Sequence, residues 1–432
     1  MPLNNYVAID LGATSGRVIV SSDGRHLDEV HRFSQYLKNE NGAFVWDLNK
    51  IYENIIVGLK KAIEKYHTIT SIGIDSWGGD YVLMNQDQAI LPAYSYRDER
   101  TKKTMEEVHS IISFNELYSI TGIQRNLVNS IYQFMDDHKK GRLEKATDFL
   151  FIPEYFTYLL TGKMAHEYTM ATTTGLVDMK TGQYSETLLN KLNFPTKLFH
   201  PLVKPGMIIG PLKEEIAKQI GSSAQVVLPV THDTASAFYA VEVDLDSVII
   251  SSGTWSIVGV KLNTGNNSIR SLPTNFANEG GKDFICYLKN IMGLWLLTEV
   301  KKKQSYSFDE ITNLALASTY NEVFDVNDAS LLSPSDMKGA IIKLLPTNNP
   351  PKSDGDIYRT IFRSLATSYN KVCNELKENL SQMYNRVCIV GGGAKNKALN
   401  QFTQEITKQQ VVAIPMEATT VGNIKIQKEV IK

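Results

Sequence analysis

The same order of elements occurs twice in this 432-residue chain, and this repetition restricts its fold more than any other feature. Residues 6–10 have the apolar pattern of a strand, a turn of small residues follows, and residues 17–20 form a second predicted strand. Residues 248–260 repeat this strand–tight turn–strand plan, in element order more than in letters. Strand and helix patterns are interleaved in both halves, which predicts α/β layers in each half.

Hydrophobic periodicity predicts the remaining elements. The predicted helices are 49–66, 231–241, 354–384 and 397–408, and the predicted strands are 43–46, 71–75, 80–84, 225–230, 386–390 and 411–414. Residues 101–175 are predicted to be mostly helical, as an insertion rather than a new sheet. The chain is too long for one ordinary core, so we predict two domains, residues 1–243 and 244–432.

The charge balance excludes several classes of partner. Lys and Arg total 45 against 46 for Asp and Glu, and no basic stripe is present to hold a nucleic-acid backbone or a membrane surface. The three cysteines lack CxxC spacing, which is typical of a reducing compartment. We expect a cytoplasmic protein without a signal peptide or a membrane span, a monomer or homodimer, with no nucleic-acid or membrane partner.

The first turn has the composition of a phosphate-binding loop. Its small residues let a ligand approach the backbone N–H groups, and its hydroxyls and one guanidinium can donate to a phosphate. The residues concerned are Gly12, Ala13, Thr14, Ser15, Gly16 and Arg17. Asp10, at the preceding strand end, suits Mg²⁺ binding through water. A plain hairpin turn is the alternative, and the Gly-Lys-Ser/Thr of a Walker A loop is absent.

A second candidate site lies where a predicted strand runs into a helix at Thr231-His232-Asp233-Thr234. The positive end of a helix dipole is expected to keep Asp233 ionised, as a general base for a hydroxyl must be. The alternatives are a simple N-cap role for Asp233, and His232 as the base. We place His232 second, because phosphoryl transfer needs an oriented acceptor more than a strong base.

Two turns in the second half also suit a nucleotide. Residues 251–254 repeat the small-residue and hydroxyl design of the first turn, ending at Thr254, whereas Trp255 is expected to be a core residue. The three glycines at 391–393 follow a strand and precede a helix. They do not complete a GxGxxG dinucleotide fingerprint, because Asn396 stands where the third glycine belongs. We predict a nucleotide-contacting turn there.

These segments, taken in order, resemble the FGGY family of carbohydrate kinases. The stretches that carry the resemblance span nearly the whole chain. They are VAIDLGATSGRV at 7–18, SIGIDSWGGDYVL at 71–83, YRDERT at 96–101, THDTASA at 231–237, SSGTWS at 251–256, NEGG at 278–281, LKNIMGLWLL at 288–297, VGGG at 390–393 and EATTVGNI at 417–424. The resemblance implies an α/β two-domain actin-like ATPase (ribonuclease H-like) fold, as in other sugar kinases, with ATP and Mg²⁺ as cofactors.

The resemblance also implies roles for individual residues. Asp233 aligns with the family's proton acceptor. The aligned nucleotide-binding positions are Ala13, Thr14, Ser15, Gly16, Arg17, Thr254 and Gly392, and the aligned sugar-binding positions are Gly78, His232, Asp233, Thr234 and Asn290. The implied reaction transfers the γ-phosphoryl group of ATP to the 1-hydroxyl of a small ketose, with L-rhamnulose as the first choice. L-Fuculose or xylulose, a nucleotide-binding regulator without a sugar, and a dinucleotide-dependent dehydrogenase are the alternatives.

Three features depart from the family pattern. Gly79 stands where valine is expected, which bears on sugar preference, and Thr298 replaces a glutamine that contacts ATP. Relatives continue for several helical turns beyond the position that corresponds to the end of this chain. A short final helix is marginal without tertiary packing. We therefore expect the last several residues to be frayed or loosely docked beside an uncovered apolar strip.

Overall fold

The computed structural model describes residues 4–34, 36–243, 246–332 and 334–431. The chain forms two compact units that are not continuous in sequence. The first unit comprises the described residues of Met1–Val241, Leu262–Cys286 and Ala418–Lys432, and the second comprises those of Glu242–Lys261 and Tyr287–Glu417. The predicted domain boundary at residue 244 lies outside the described residues.

The helices and strands are numbered in chain order. The α-helices are α1 (Leu48–Tyr66), α2 (Thr101–Ile111), α3 (Phe114–Thr121), α4 (Ser130–Lys139), α5 (Ile152–Thr161), α6 (Tyr168–Ala171), α7 (Glu186–Lys191), α8 (Glu214–Ile220), α9 (Asp233–Ala240), α10 (Ser271–Thr274), α11 (Trp295–Lys301), α12 (Phe308–Ala317), α13 (Met337–Lys343), α14 (Asp354–Leu380), α15 (Lys397–Thr407) and α16 (Ala418–Val430). The strands are β1 (Tyr6–Leu11), β2 (Ser15–Ser21), β3 (Asp28–Ser34), β4 (Leu37–Glu40), β5 (Ala43–Trp46), β6 (Ser71–Ser76), β7 (Tyr81–Asn85), β8 (Gln88–Ile90), β9 (Asp148–Phe151), β10 (Val177–Asp178), β11 (Gln183–Tyr184), β12 (Met207–Pro211), β13 (Gln225–Leu228), β14 (Ser247–Ser252), β15 (Trp255–Leu262), β16 (Ala277–Gly280), β17 (Ile285–Met292), β18 (Arg386–Val390) and β19 (Gln410–Ile414).

The central sheet of the first unit has the order β12-β13-β6-β1-β2-β3. The pairs β1–β2 and β2–β3 are antiparallel, whereas β6 and β13 continue the sheet parallel to β1. Strands β1 and β6 are buried along their whole length. That explains why both read as short apolar runs without alternation, since helices cover strands of this kind on both faces. The carboxyl ends of these parallel strands meet at one edge of the sheet.

The second large sheet repeats this plan and confirms the predicted echo of the opening hairpin. Its order is β16-β17-β15-β14-β18-β19. The hairpin β14–β15 is antiparallel, and β18 and β19 continue the sheet parallel to β14. The predicted turn and helix of residues 391–408 also form, because α15 follows β18 and leads to β19.

One sheet was not expected. Residues 101–175 were predicted as a helical insertion, and α2 to α6 do lie there. However, β9 also lies in this range and pairs antiparallel with β7, which makes a three-stranded sheet of order β8-β7-β9. The expectation of no new sheet was therefore wrong. The apolar run Phe149–Ile152 is only four residues long and buried, and periodicity cannot separate such a strand from a helix start.

The final helix contradicts the expectation of a frayed chain end. Among the described residues, α16 belongs to the first unit and buries Ile424 and Ile426 fully. Three polar side chains of the same helix, Thr420, Asn423 and Gln427, are also fully buried. Gln427 donates to the Val7 carbonyl at 2.9 Å and accepts a hydrogen bond from Ser71 at 2.6 Å. The polar face, which the apolar pattern did not reveal, joins α16 to β1 and β6.

In the described residues, no helix is both long enough and apolar enough to cross a membrane.

A glycine makes the close approach of α16 possible, and this generates a test. A Cβ at Gly422 would collide with the Ser236 carbonyl on α9. Gly422→Ala should lower the free energy of unfolding by about 1–3 kcal/mol, although alanine is the better helix former. The matched control is Gly339→Ala on α13, where a Cβ would meet only the Asp336 side chain. Thermal melting should show a loss for the first variant and none for the control; equal melting temperatures for Gly422→Ala and the parent would contradict the packing.

Candidate active site

Two carboxylates lie side by side at the carboxyl ends of the central strands. Asp10 on β1 is in register with Asp75 on β6, and the two strands are parallel neighbours. Asp10 is 5% exposed and Asp75 is fully buried. Neighbouring strands are only about 4.8 Å apart, so their charges act strongly on each other. Asp10 was predicted as a site residue, whereas Asp75 was missed because it reads as the end of an apolar strand.

Asp10 is held from two directions. The guanidinium of Arg17, its register partner on β2, donates to Asp10 Oδ2. The hydroxyl of Thr420 on α16 donates to the same oxygen at 3.4 Å. Arg17 was predicted to bind a phosphate through two nitrogens of its guanidinium. The structure shows one of these nitrogens on Asp10, and the contact with phosphate stays a prediction.

Asp75 depends on a side-chain amide from the final helix. Asn423 Nδ2 donates to Asp75 Oδ2 at 2.6 Å, and Asp75 Oδ1 has no hydrogen-bond partner among the described residues. Burial, and next the charge of Asp10, raises the pKa of Asp75 well above its usual range. A buried carboxylate with a single amide donor is costly to ionise. Asn423 therefore stabilises Asp75 by donating the hydrogen bond that this buried carboxyl group accepts.

Asp233 begins α9, close to this carboxylate pair. An isolated bridge joins Ser76, at the end of β6, to His232, and the Ser76 N–H donates to the Thr231 carbonyl at 2.9 Å. The Asp233 side chain is 33% exposed, so a ligand can reach it. Its Oδ1 accepts a hydrogen bond from the Thr234 N–H at 2.5 Å.

The protonation of Asp233 differs from the expectation. The helix N-terminus was predicted to keep this carboxylate ionised. Burial, and next the charge of Asp10, instead raises the pKa of Asp233 to about 7. Dipole stabilisation at an exposed helix end is worth less than about 1 kcal/mol, whereas desolvation and a like charge shift carboxylates by several pKa units. At neutral pH the group exchanges a proton readily, which suits general base catalysis.

His232 lies between two carboxyl groups. Its Nε2 is 3.5 Å from Asp233 Oδ1, and its Nδ1 is 3.4 Å from Glu279 Oε2. Burial lowers the pKa of His232 to about 4, and burial followed by the charge of Asp233 raises the pKa of Glu279 to about 8. Both groups are therefore neutral at pH 7. This arrangement favours His232 as an orienting group over its alternative role as the base.

Glu279 was not predicted. It lies on β16, within the NEGG stretch that was quoted for the resemblance but assigned no role. Its residue is 7% exposed, and neither its Oε2 nor His232 Nδ1 has a hydrogen-bond partner among the described residues. The signal that could have identified it is a glutamate directly followed by two glycines, Gly280 and Gly281.

Gly78 lies against His232, and one buried carboxylate holds its loop. A Cβ at Gly78 would come within 3.1 Å of His232 Nε2, so this predicted sugar-binding glycine does border the Asp233 cluster. Two residues later, Asp80 Oδ2 accepts hydrogen bonds from Trp46 Nε1 at 2.7 Å and from Trp77 Nε1 at 3.0 Å. Gln133 donates to Asp80 Oδ1 at 2.9 Å. These bonds fix the loop from several elements at once.

Gly79, the predicted departure from the family pattern, has a backbone that demands glycine. Its φ is 89°, and a Cβ there would lie 2.5 Å from the Val128 carbonyl. The Ser130 hydroxyl donates to the Gly79 carbonyl at 2.7 Å. A valine does not fit this conformation, so the loop in this chain requires glycine at position 79.

The turn between β1 and β2 leaves its small residues accessible. Thr14 is exposed, Gly12, Ala13 and Ser15 are half-buried, and Gly16 is buried. The Gly12 N–H donates to the Ser15 carbonyl at 3.0 Å, and the Tyr36 hydroxyl donates to the Gly12 carbonyl. The backbone is thus fixed while its outer face remains open, as a phosphate-binding turn requires.

The second unit contains the other predicted nucleotide positions. Thr254 lies in the β14–β15 turn, and Gly392 begins a short 3₁₀ segment after β18. The two turns are adjacent, because a Cβ at Gly391 would be 3.0 Å from the Ser252 carbonyl. Gly391 has a φ of 77°, so this close approach requires glycine. The structure therefore brings the Thr254 and Gly392 turns together within one unit.

Three further residues of the second unit were the subject of predictions. Trp255 is 43% exposed, so its assignment to the core was wrong. Thr298 is exposed on α11, and its hydroxyl donates to the Leu294 carbonyl at 3.0 Å. Asn290 is half-buried on β17, and its role in sugar binding stays a prediction.

The carboxylate cluster fits a divalent cation. The charge of Asp10 raises the pKa of both Asp75 and Asp233, and the charge of Asp233 adds to the shift of Asp75. Carboxylate oxygens with strong negative potential are the environment that Mg²⁺ requires, with several waters retained on the ion. The predicted binding of Mg²⁺ by Asp10 through water is compatible with this donor set and stays a prediction.

The family comparison agrees with the two-domain fold. Residues 5–239 match the N-terminal domain of the FGGY family of carbohydrate kinases, and residues 248–428 match the C-terminal domain of that family. The chain belongs to the FGGY family of carbohydrate kinases. The two-domain α/β fold that the motifs implied is thereby confirmed.

Individual relatives are similar over nearly the whole chain. A rhamnulokinase from Oceanobacillus iheyensis is 39% identical over 98% of this chain and 92% of its own length. A rhamnulokinase from Bacteroides thetaiotaomicron is also 39% identical, over 98% of this chain and 90% of its own length. Among solved structures, ligand-bound xylulose kinase from Lactobacillus acidophilus superposes with a TM-score of 0.85 at 15% identity, covering 99% of this chain and 89% of that one.

The raised pKa of Glu279 generates a prediction about stability. Its pKa rises from 4.5 to about 8 on folding, so between these values the folded chain keeps a proton that the unfolded chain releases. The contribution of this group to stability therefore falls as the pH rises from about 4.5 to about 8. Glu279→Gln removes the titration. Its melting temperature relative to the parent should increase between about pH 5 and about pH 9.

The exposed Glu64→Gln variant on α1 is the matched control, and its difference from the parent should not depend on pH over this range. A Glu279→Gln difference that stays constant with pH would show that Glu279 is not a buried, protonated group.

Proposed function

We propose that this protein transfers the γ-phosphoryl group of ATP to the 1-hydroxyl of L-rhamnulose. Membership of the carbohydrate kinase family defines the reaction class. The sugar comes from the names of the two relatives described above, which are 39% identical over nearly their whole length. Because the reaction consumes ATP, we place it in the cytoplasm, with the protein as a monomer or homodimer.

The observation that carries the proposal is the environment of Asp233. Its carboxylate is one-third exposed and lies at the start of a helix, and its pKa is about 7. A base in this range can accept the proton of the sugar hydroxyl as the phosphoryl group is transferred. The oxygen that loses this proton forms the new bond to phosphorus, while the bond from phosphorus to ADP breaks.

The groups around Asp233 support the orientation of a polyhydroxyl substrate. His232 is neutral and buried between Asp233 and Glu279, and Gly78 leaves space beside its ring. His232 Nε2, at 3.5 Å from Asp233 Oδ1, is suited to ordering the base and, through it, the hydroxyl. In this proposal Thr234 and Asn290 are further sugar contacts.

The nucleotide is assigned to the small-residue turns. The predicted nucleotide contacts are Ala13 to Arg17, Thr254 and Gly392, whose turns offer backbone N–H groups and hydroxyls. Mg²⁺, held at Asp10 through water, supplies neutralisation of phosphate charge when it is bound. Thr298 is too short to replace the contact of the family's glutamine, so we expect the nucleotide to bind without that contact.

The role of Asp233 is tested by Asp233→Asn. The variant keeps the shape of the side chain but cannot accept the proton, so kcat should fall roughly 10²–10⁴-fold while ATP affinity stays nearly unchanged. Asp309→Asn is the matched control, because Asp309 is an exposed carboxylate in the first turn of α12. Coupled ADP release measures kcat and calorimetry measures nucleotide binding. Near-normal turnover by Asp233→Asn would remove this residue from its role.

The substrate is tested by ADP release over a panel containing L-rhamnulose, L-fuculose, D-xylulose and L-xylulose. The largest kcat/KM should be found with L-rhamnulose. A larger value for another ketose would keep the kinase reaction and overturn the assigned sugar.

A further inference from the structure

Two histidines and an aspartate meet in the first unit, and neither the sequence motifs nor the kinase reaction accounts for them. Asp148 begins β9, His166 precedes α6, and His200 follows the 3₁₀ segment Thr196–Leu198. One potential ligand atom from each side chain lies within 4.8 Å of the other two. The three residues come from separate segments of the chain, so only the fold brings them together.

The spacing of these atoms is that of metal ligands. His166 Nε2 is 3.3 Å from Asp148 Oδ1, and His200 Nε2 is 3.5 Å from Asp148 Oδ2. Zinc binds nitrogen and oxygen at about 2.0–2.2 Å in a tetrahedron, whose edges are therefore about 3.3–3.6 Å long. Both separations lie in that range, although they run to the two different oxygens of Asp148, and the two histidine ligand atoms lie within 4.8 Å of each other. An ion therefore requires a small closure of the side chains around it.

The site is ordered on one side and open on the other. His166 is 5% exposed, packs edge-on against Phe149, and stacks with His200 at 5.1 Å between ring centroids. The side chain of His200 is 43% exposed, which gives an ion a route of entry.

The backbone fixes the segments that carry these side chains. The Val203 N–H donates to the His166 carbonyl at 2.8 Å, and the Tyr168 N–H donates to the Val203 carbonyl at 3.0 Å. Asp148 is held by the pairing of β9 with β7. Asp148 and His166 are therefore presented by backbone segments that other strands and segments hold in place, which reduces the cost of organising a metal site.

We propose that Asp148, His166 and His200 bind a divalent transition-metal ion, of which Zn²⁺ is the best match, with water as the fourth ligand. Two imidazoles and one carboxylate favour zinc over Mg²⁺, which prefers oxygen ligands only. The bound ion cross-links the start of β9 to the segments at 166 and 200. It is a site separate from the Mg²⁺ proposed at Asp10.

The test is titration of the full-length protein, first dialysed against a chelator, with Zn²⁺ in competition with a chromophoric chelator. Co²⁺ is the spectroscopic probe, because four-coordinate Co²⁺ absorbs more strongly in the visible than the hydrated ion. One equivalent should bind, and the melting temperature should rise with Zn²⁺ concentration, as expected for a ligand of the folded state. Failure to bind either ion, or an unchanged melting temperature, would overturn the proposal.

The variants are His200→Ala, at an exposed position where misfolding is not expected, and Asp148→Asn, which keeps the shape of the side chain. Loss of a metal-orienting partner alone weakens binding by about 10–100-fold, so loss of a ligand should weaken it by at least that factor. His26→Ala, which removes an exposed histidine from a pair with Asp23, is the matched control and should bind Zn²⁺ like the parent. Equal affinity in His200→Ala and the parent, or an equal loss in His26→Ala, would contradict the assignment.

Discussion

A hydrogen bond between Asn423, near the end of the chain, and Asp75, on a central strand of the first sheet, supports the active site. The amide of Asn423 donates to the carboxylate of Asp75 at 2.6 Å, in a place where both side chains are fully buried. Asp75 lies in register with Asp10, so the same contact fixes the strand that stands beside the proposed cation-binding carboxylate. Without it, the central strand buries a carboxylate that has no other hydrogen-bond partner among the described residues. The cost of such a group is several kcal/mol at most sites.

The neighbouring contacts of α16 extend this support. Thr420 donates to Asp10, Gln427 bonds to both β1 and β6, and Gly422 allows the helix to approach α9. Because α9 begins with Asp233, one helix braces all three carboxylates. Burial of Asp233, and next the charge of Asp10, raises the pKa of Asp233 to about 7. The proton affinity of the proposed base is thus a consequence of its own burial and of a neighbouring charge that the same helix holds in place.

The sequence predicts the parts of this arrangement that depend on local pattern. The strand of residues 71–75, the helix of residues 49–66 and the Asp233 helix start were all recognised from apolar spacing and small-residue turns. Asp75 and Glu279 were missed because each lies inside a buried strand, where a carboxylate is expected only if distant partners support it. The partner of Asp75 is 348 positions away, and no local pattern reveals it.

The final helix illustrates the same limit. Ile424, Ile426, Val430 and Ile431 suggested a weak apolar strip, and the helix was expected to fray. The structure shows that buried polar residues between them make the decisive contacts, with β1 and β6 of the first unit. Periodicity counts apolar positions only, so it underestimates a helix that docks through amides. The predicted roles of Asn290 and Thr254 remain predictions, because only a bound ligand would show these contacts.

The hydrogen bond from Asn423 to Asp75 is expected to stabilise the fold. A double-mutant cycle measures the coupling energy of these two side chains directly. The free energies of unfolding of Asp75→Ala, Asn423→Ala, the double variant and the parent give the coupling between the two side chains. Removal of the amide alone leaves a buried carboxylate without its donor, whereas removal of both does not. The account predicts a coupling of about 1–3 kcal/mol. Additive effects, within about 0.5 kcal/mol, would show that the two residues stabilise the fold independently and would contradict it.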